Sequence, residues 1–235
     1  MTKMRNAACA ALVLILSMSA LAGQKYKPWN EWTKKDAEKI LNDSAWGQTQ
    51  VETDTTEMNW STASRPIEGR GQLNQSTSVN FFIRFLSAKP IRQALARMAE
   101  LDTSANSPKQ IENAKAYAEQ KFDQTIVVAV SFESKDGRFS GLAFQALGSA
   151  ITSTLKNNTF LELKGGKRIF LQEYQAPTQG GVGAIFIFPR SIDGVPVVDP
   201  KGGDLRFWAE FPGGALTLNM RFKIANMIYD GVLEY

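Results

Sequence analysis

Histidine is missing from all 235 residues, and cysteine occurs once, as Cys9. The first absence excludes a Ser-His-Asp triad, a Cys-His pair and any histidine-ligated zinc, copper or haem. The second excludes an internal disulfide and a thiolate metal cluster. Stability must therefore come from a packed core, and a chain of this size buries roughly 70% of its unfolded surface. The residues left for catalysis are Asp, Glu, Lys, Arg, Tyr, Ser and Thr, which permits a paired-carboxylate or Ser-Lys hydrolase on inventory alone. Cofactor and metal motifs are lacking too. Lys164-Gly165-Gly166-Lys167 has neither the glycine spacing nor the Lys-Ser/Thr ending of a phosphate loop and reads as a hairpin turn. Gly69-Arg70-Gly71 lacks the strand-turn-helix setting of a dinucleotide site. Asp193-Gly194 and residues 200–204 fall short of a calcium loop. Acidic residues are dispersed, with no pair in a recognisable glycosidase frame.

What is present begins with the first 22 residues. Lys3 and Arg5 form a short basic start, residues 7–21 are apolar apart from two serines, and Ala20-Leu21-Ala22 supplies a small-x-small cleavage pattern. This is the three-part form of a secretory signal peptide, cut between Ala22 and Gly23. The apolar run of about 15 residues is short of the roughly 20 that a membrane span needs. Cys9 precedes the apolar core and leaves with it. Of 27 basic residues, 25 then remain against 23 acidic ones. Such a chain is no polycation, and no Lys/Arg cluster marks a nucleic-acid face. No later segment is apolar enough for a span. The expected product is periplasmic or secreted, with no transmembrane segment, no cofactor and no nucleic-acid partner.

The organisation reads as one α+β domain over residues 23–235, with helices packed on a mostly antiparallel sheet. Residues 23–48 are an N-terminal helical attachment, and 49–78 a polar, loop-rich excursion with short strands. Residues 79–158 are mixed α/β, and 159–235 are β-rich. Thr33 with Asp36 makes a capping box, and Ala37, Ile40 and Leu41 carry a helix over 34–44. Trp29, Trp32 and Trp46 flank it, either as fastenings to the core or as an aromatic partner surface. Residues 79–86 alternate as a strand, with Val79, Phe81, Ile83 and Phe85 on one side. Ile91, Ala94, Leu95 and Met98 form the buried stripe of the next helix, beside which Arg92 and Arg97 read as solvated or surface-paired side chains, with anion binding as the alternative. Ser107-Pro108 opens another helix running to about Phe122. Residues 125–132 read as a central strand covered on both faces, and 142–156 as a helix. From Thr159 the chain reads as strands at 160–163, 168–171, 182–188, 195–198, 205–211, 216–223 and 232–235.

Three segments resemble a known pattern: Trp29-x-x-Trp32-Thr33-x-x-Asp36-Ala37-x-x-Ile40-Leu41 with Ser44-x-Trp46, then residues 84–94, then Phe188-Pro189-Arg190. Together they resemble a family of uncharacterised bacterial proteins that carry signal peptides. The resemblance implies export and one integrated domain. It implies no activity, ligand or catalytic residue.

The function this supports is non-enzymatic: binding an unknown protein or envelope component, with Trp29, Trp32 and Trp46 as the candidate surface. The alternatives are a histidine-independent hydrolase of envelope polymers and a carrier of small apolar ligands. In the carrier, Phe160, Phe170, Phe186, Phe188, Phe207 and Phe222 would line a cavity.

Overall fold

The computed structural model describes residues 26–53, 78–134, 137–214 and 216–235. The leader with Ala22 and Gly23, Cys9 and Trp60 lie outside the described residues. The fold is α+β, with helices concentrated in the first two thirds and strands dominating the C-terminal half. Helix α1 (Lys34–Asn42) starts on the capping box: the Thr33 amide donates to Asp36 Oδ2 at 3.0 Å and the Asp36 amide to Thr33 Oγ1 at 3.2 Å. Strand β1 (Gly47–Thr53) follows a tight turn closed by an antiparallel bridge between Asp43 and Gln48, and it pairs along its whole length with β2 (Ser78–Phe85). Helix α2 (Lys89–Leu101) follows, then α3 (Pro108–Ala118), whose cap is the Ser107–Gln110 box. Strand β3 (Thr125–Ser134), α4 (Gly137–Ser149) and the single turn α5 (Thr152–Leu155) complete the mixed part.

The remaining strands are β4 (Thr159–Leu163), β5 (Arg168–Phe170), β6 (Glu173–Gln175), β7 (Ala184–Pro189), β8 (Ser191–Ile192) and β9 (Val195–Pro196). After them come β10 (Asp204–Glu210), β11 (Thr217–Lys223), β12 (Ile228–Tyr229) and β13 (Val232–Leu233). One sheet has the order β1-β2-β3-β7-β6, the other β11-β10-β4-β5, and all neighbours are antiparallel. Both lateral margins are bridged. On one side the chain passes from β5 to β6: the Leu171 amide donates to Thr159 O at 3.0 Å, and the Gln172 amide to Ile187 O at 2.8 Å. On the other side the Gln50 side chain of β1 spans to β11. Its Nε2 donates to Thr217 O at 2.9 Å, and its Oε1 accepts from the Asn219 amide at 2.7 Å.

The core fills the space between the sheets. Alternation puts Phe81, Ile83 and Phe85 of β2 on the inner face, in register with Phe132, Val130 and Val128 of β3. Phe85 meets Phe222 of β11 edge to face at 4.8 Å, and Phe186 of β7 meets Phe207 of β10 at 5.2 Å. Each such pair is worth about 0.5–1.5 kcal/mol beyond the area it buries. Ile126 to Val130 are buried on both faces of β3, as a continuous apolar run requires. Among the described residues no helix is long and apolar enough to cross a membrane.

Three expectations change. Residues 142–156 are not one helix: α4 begins at Gly137, and the chain is extended at Ile151. That break lets Thr152 Oγ1 accept from the Tyr174 amide at 3.0 Å, anchoring β6, which periodicity did not predict. Helix α3 stops at Ala118, and Ile111, Ala114 and Phe122 are only half-buried. Arg92 is not solvated: it is 4% exposed, because α2 lies between α1 and α3 and buries most of its circumference. The polar segment 49–78, read as an excursion with short strands, shares its first residues with β1 and its last with β2, and its residues 54–77 lie outside the described residues.

The tryptophans sit at the junction of both chain halves. Trp46 is fully buried, donates from Nε1 to Glu234 O at 3.0 Å, and meets the Tyr229 ring edge on at 5.9 Å. Trp32 is also buried, donating to Lys27 O. Trp46→Ala should therefore destabilise the whole protein by about 3–5 kcal/mol, read from urea unfolding. A loss under about 1 kcal/mol would place that ring outside the core.

Burial also pushes the phenols of Tyr174 and Tyr229 above their ordinary value of 10.0. The unfolded chain loses these protons first as pH rises. Their contribution is complete below the unfolded value and disappears through the higher folded values. The urea midpoint should fall between about pH 8 and about pH 11, with phenolate absorbance appearing together with unfolding. Phenolate formation in a chain that stays folded would count against this.

Candidate functional site

The helices make their main sheet contacts on strands of the five-stranded sheet. Among the described residues no helix covers the outer face of the four-stranded sheet, which carries large side chains. Period 2 decides which: on β4 and β10 the residues opposite to Leu161, Leu205, Phe207 and Ala209 point outward. Register then assembles two rows across the strands. Asn219, Trp208, Phe160 and Phe170 stand directly opposite one another in sequence across β11, β10, β4 and β5. Arg221, Arg206, Glu162 and Arg168 form the adjacent row.

The first row is an aromatic ladder. Phe160 and Trp208 lie nearly parallel, 13° apart with centroids 6.3 Å apart, and Phe170 meets Phe160 edge on at 5.9 Å. Phe170 is 48% exposed and Trp208 half-buried, while Phe160 between them is buried, 6% exposed. The second row lies across the first. The Arg168 guanidinium sits 4.2 Å over the Phe160 ring, and that of Arg206 4.5 Å over Trp208. Glu162 joins them: Arg168 Nε donates to Oε2 at 2.9 Å, and Arg206 Nη1 lies 3.5 Å from Oε1. Arg206 Nε also donates to Asn219 Oδ1 at 2.7 Å. The hydrogen bond from Arg168, with both guanidinium charges, holds the Glu162 carboxyl below its ordinary value. The arrangement holds two guanidiniums over aromatic rings, and a guanidinium's remaining donors suit oxyanions.

Other polar clusters are largely satisfied among themselves; among the described residues the buried atoms Arg92 Nε and Thr159 Oγ1 have no hydrogen-bond partner. An open depression of about 540 Å³ is lined by Asn42, Asp43, Ser44, Gln48, Thr49 and Met220. Its hydroxyls serve the end of α1: Ser44 Oγ accepts from the Trp46 and Gly47 amides, and Thr49 Oγ1 donates to Asn42 O. Arg84 behind it donates to Leu41 O, Asn42 Oδ1 and Ser131 Oγ. Burial lowers its pKa to about 10, which leaves it protonated at neutral pH. Arg92 donates to the carbonyls of Leu86, Ser87 and Gln120 and lies under Phe122. Among the described residues no group of three His, Cys, Asp or Glu side chains is placed to hold a metal ion.

The structure disperses the residues expected to act together. Trp32 and Trp46 are core, and Trp29 is half-buried against it in a short 3-10 turn, Trp29–Glu31. They fasten α1 rather than form an exposed platform. Of the six phenylalanines considered as a cavity lining, Phe186, Phe188, Phe207 and Phe222 are core rings packed on other rings. Phe160 and Phe170 lie on the outer face. Single-strand alternation in 160–162 and 206–208 signals that face, but its rows exist only once the register is known. Compared with known proteins, the chain matches no family model, no curated protein and no solved structure.

The two faces of this sheet differ in what they contribute to stability. Phe207→Ala, on the inner face, should cost about 3–5 kcal/mol. Phe170→Ala, on the outer face, should cost no more than about 1 kcal/mol. Equal losses in urea unfolding would mean that the outer row is covered in solution.

Proposed function

We propose that this chain is an exported, non-catalytic binding protein whose open sheet face takes an acidic polysaccharide of the cell envelope. The observation that carries the reading is the aromatic row lying directly beside a row of three arginines and one glutamate. A uronate unit has an apolar ring face and a carboxylate, which the two rows match side by side. Peptides are more often taken at a sheet edge or in a groove, where backbone groups or pockets are on offer. A sheet face offers side chains only, as flat ligands need. Export follows from the signal-peptide reading of residues 1–22.

The titratable groups favour binding over hydrolysis. Among the described residues the carboxylates whose pKa departs from the ordinary range, Asp36, Glu100 and Glu162, are all lowered by hydrogen bonds and neighbouring cations. A general acid at neutral pH needs the opposite shift.

Isothermal titration of the purified protein with soluble polygalacturonate, and with neutral dextran of similar length, tests the reading. Binding should be confined to the acidic polymer and weaken with added salt. Trp208→Ala should lower the affinity by about three- to tenfold, the scale of one aromatic packing contact. Equal binding of both polymers, or of neither, would refute the assignment.

A further inference from the structure

We infer that this face seats a ligand carboxylate between Arg206 and Arg221, and that Glu162 is an internal copy of that carboxylate which competes for Arg206. The inference rests on the binding-face reading and adds to it where the ligand charge sits and what opposes its entry.

The row itself shows the pattern. Arg168 and Arg206 stand on either side of Glu162, each directly opposite it across a strand pair. One carboxylate therefore bridges two guanidiniums, one oxygen to each. One strand further on, Arg206 is directly opposite Arg221 at the same ladder spacing, with no carboxylate between them. Like charges directly opposite on a sheet destabilise it, so the second gap lacks the counter-ion that the first one has. Arg221 is exposed and has no hydrogen bond or ion pair among the described residues. Arg206 is held in place by Trp208 beneath it and by Asn219 at its Nε, and a guanidinium has five donors, so donors remain for a second oxyanion.

The other charged groups on this face do not fill the gap. Lys223 stands opposite Asp204 in the next row, and Glu210 lies beyond Trp208, opposite Thr217. A carboxylate arriving at Arg221 would sit two register steps from the Trp208–Asn219 pair, the next pair on the same face. A sugar ring attached to it then lies within reach of the half-buried Trp208. Glu162 draws Arg206 towards β4, away from this seat. Removing its charge frees Arg206 and raises the net charge of the row from +2 to +3.

Titration of polygalacturonate into wild type, Glu162→Gln and Arg221→Ala tests this, with circular dichroism and gel filtration confirming each fold. Glu162→Gln should bind about two- to fivefold tighter and Arg221→Ala about two- to fivefold weaker, the range of exposed ion pairs. Unchanged or weaker binding by Glu162→Gln, with wild type binding normally, overturns the competitor role and leaves the binding face standing. Unchanged binding by Arg221→Ala overturns the seat. Failure of wild type to bind overturns the binding face itself and this inference with it. Should Glu162→Gln misfold, Arg221→Ala decides, since Arg221 holds no other group in place.

Discussion

Contact between the inner faces of two antiparallel sheets is the interaction on which everything else depends. With no disulfide to constrain the unfolded chain, the fold stands on rings such as Phe85, Phe186, Phe207 and Phe222 meeting across the gap. Edge-to-face contacts fix both distance and angle, so the sheets hold one relative setting. That setting brings the margins together. On one side the backbone crosses from sheet to sheet, and on the other a single amide, that of Gln50, stands in for a missing strand residue. It occupies one donor and one acceptor on the margin of β11, groups that on an uncovered edge invite pairing with another chain.

The outer surface follows from the inner one. Because side chains alternate, every residue that builds the phenylalanine core commits its neighbours to the opposite face. Phe160 and Trp208 point outward because Leu161 and Phe207 point inward. Large rings facing water are costly, and here the guanidiniums of Arg168 and Arg206 lie over them. The row contains one carboxylate for three guanidiniums. The proposed binding surface is in this sense what remains when an aromatic core is built on a sheet whose back no helix covers among the described residues.

Local chemistry was legible in the residues. The Thr33–Asp36 and Ser107–Gln110 boxes, the alternation of Val79 to Phe85 and the apolar run at 126–130 each state a short-range physical requirement, and the structure meets them. Long-range placement was not legible. Arg92 lies beside an apolar stripe, which suits a surface residue unless helices stand on both sides of its own, as α1 and α3 do. The tryptophans around α1 suit a platform or a clasp equally until Glu234 and Tyr229 are seen against Trp46. Arg168, Arg206 and Arg221 belong to three strands joined by turns and loops of different length. Only the register of β5, β4, β10 and β11 makes them neighbours.

The bond from Trp46 to Glu234 joins residues 188 positions apart, and Gln50 reaches partners 167 and 169 positions away. Contacts of that span must wait until nearly all of the intervening chain has been made, and topologies rich in them fold slowly. The first strand of the fold thus finds its second neighbour only near the end of synthesis. A chain of this design spends a long time open after its N-terminal residues have emerged, the condition in which a polypeptide can be threaded across a membrane before it folds.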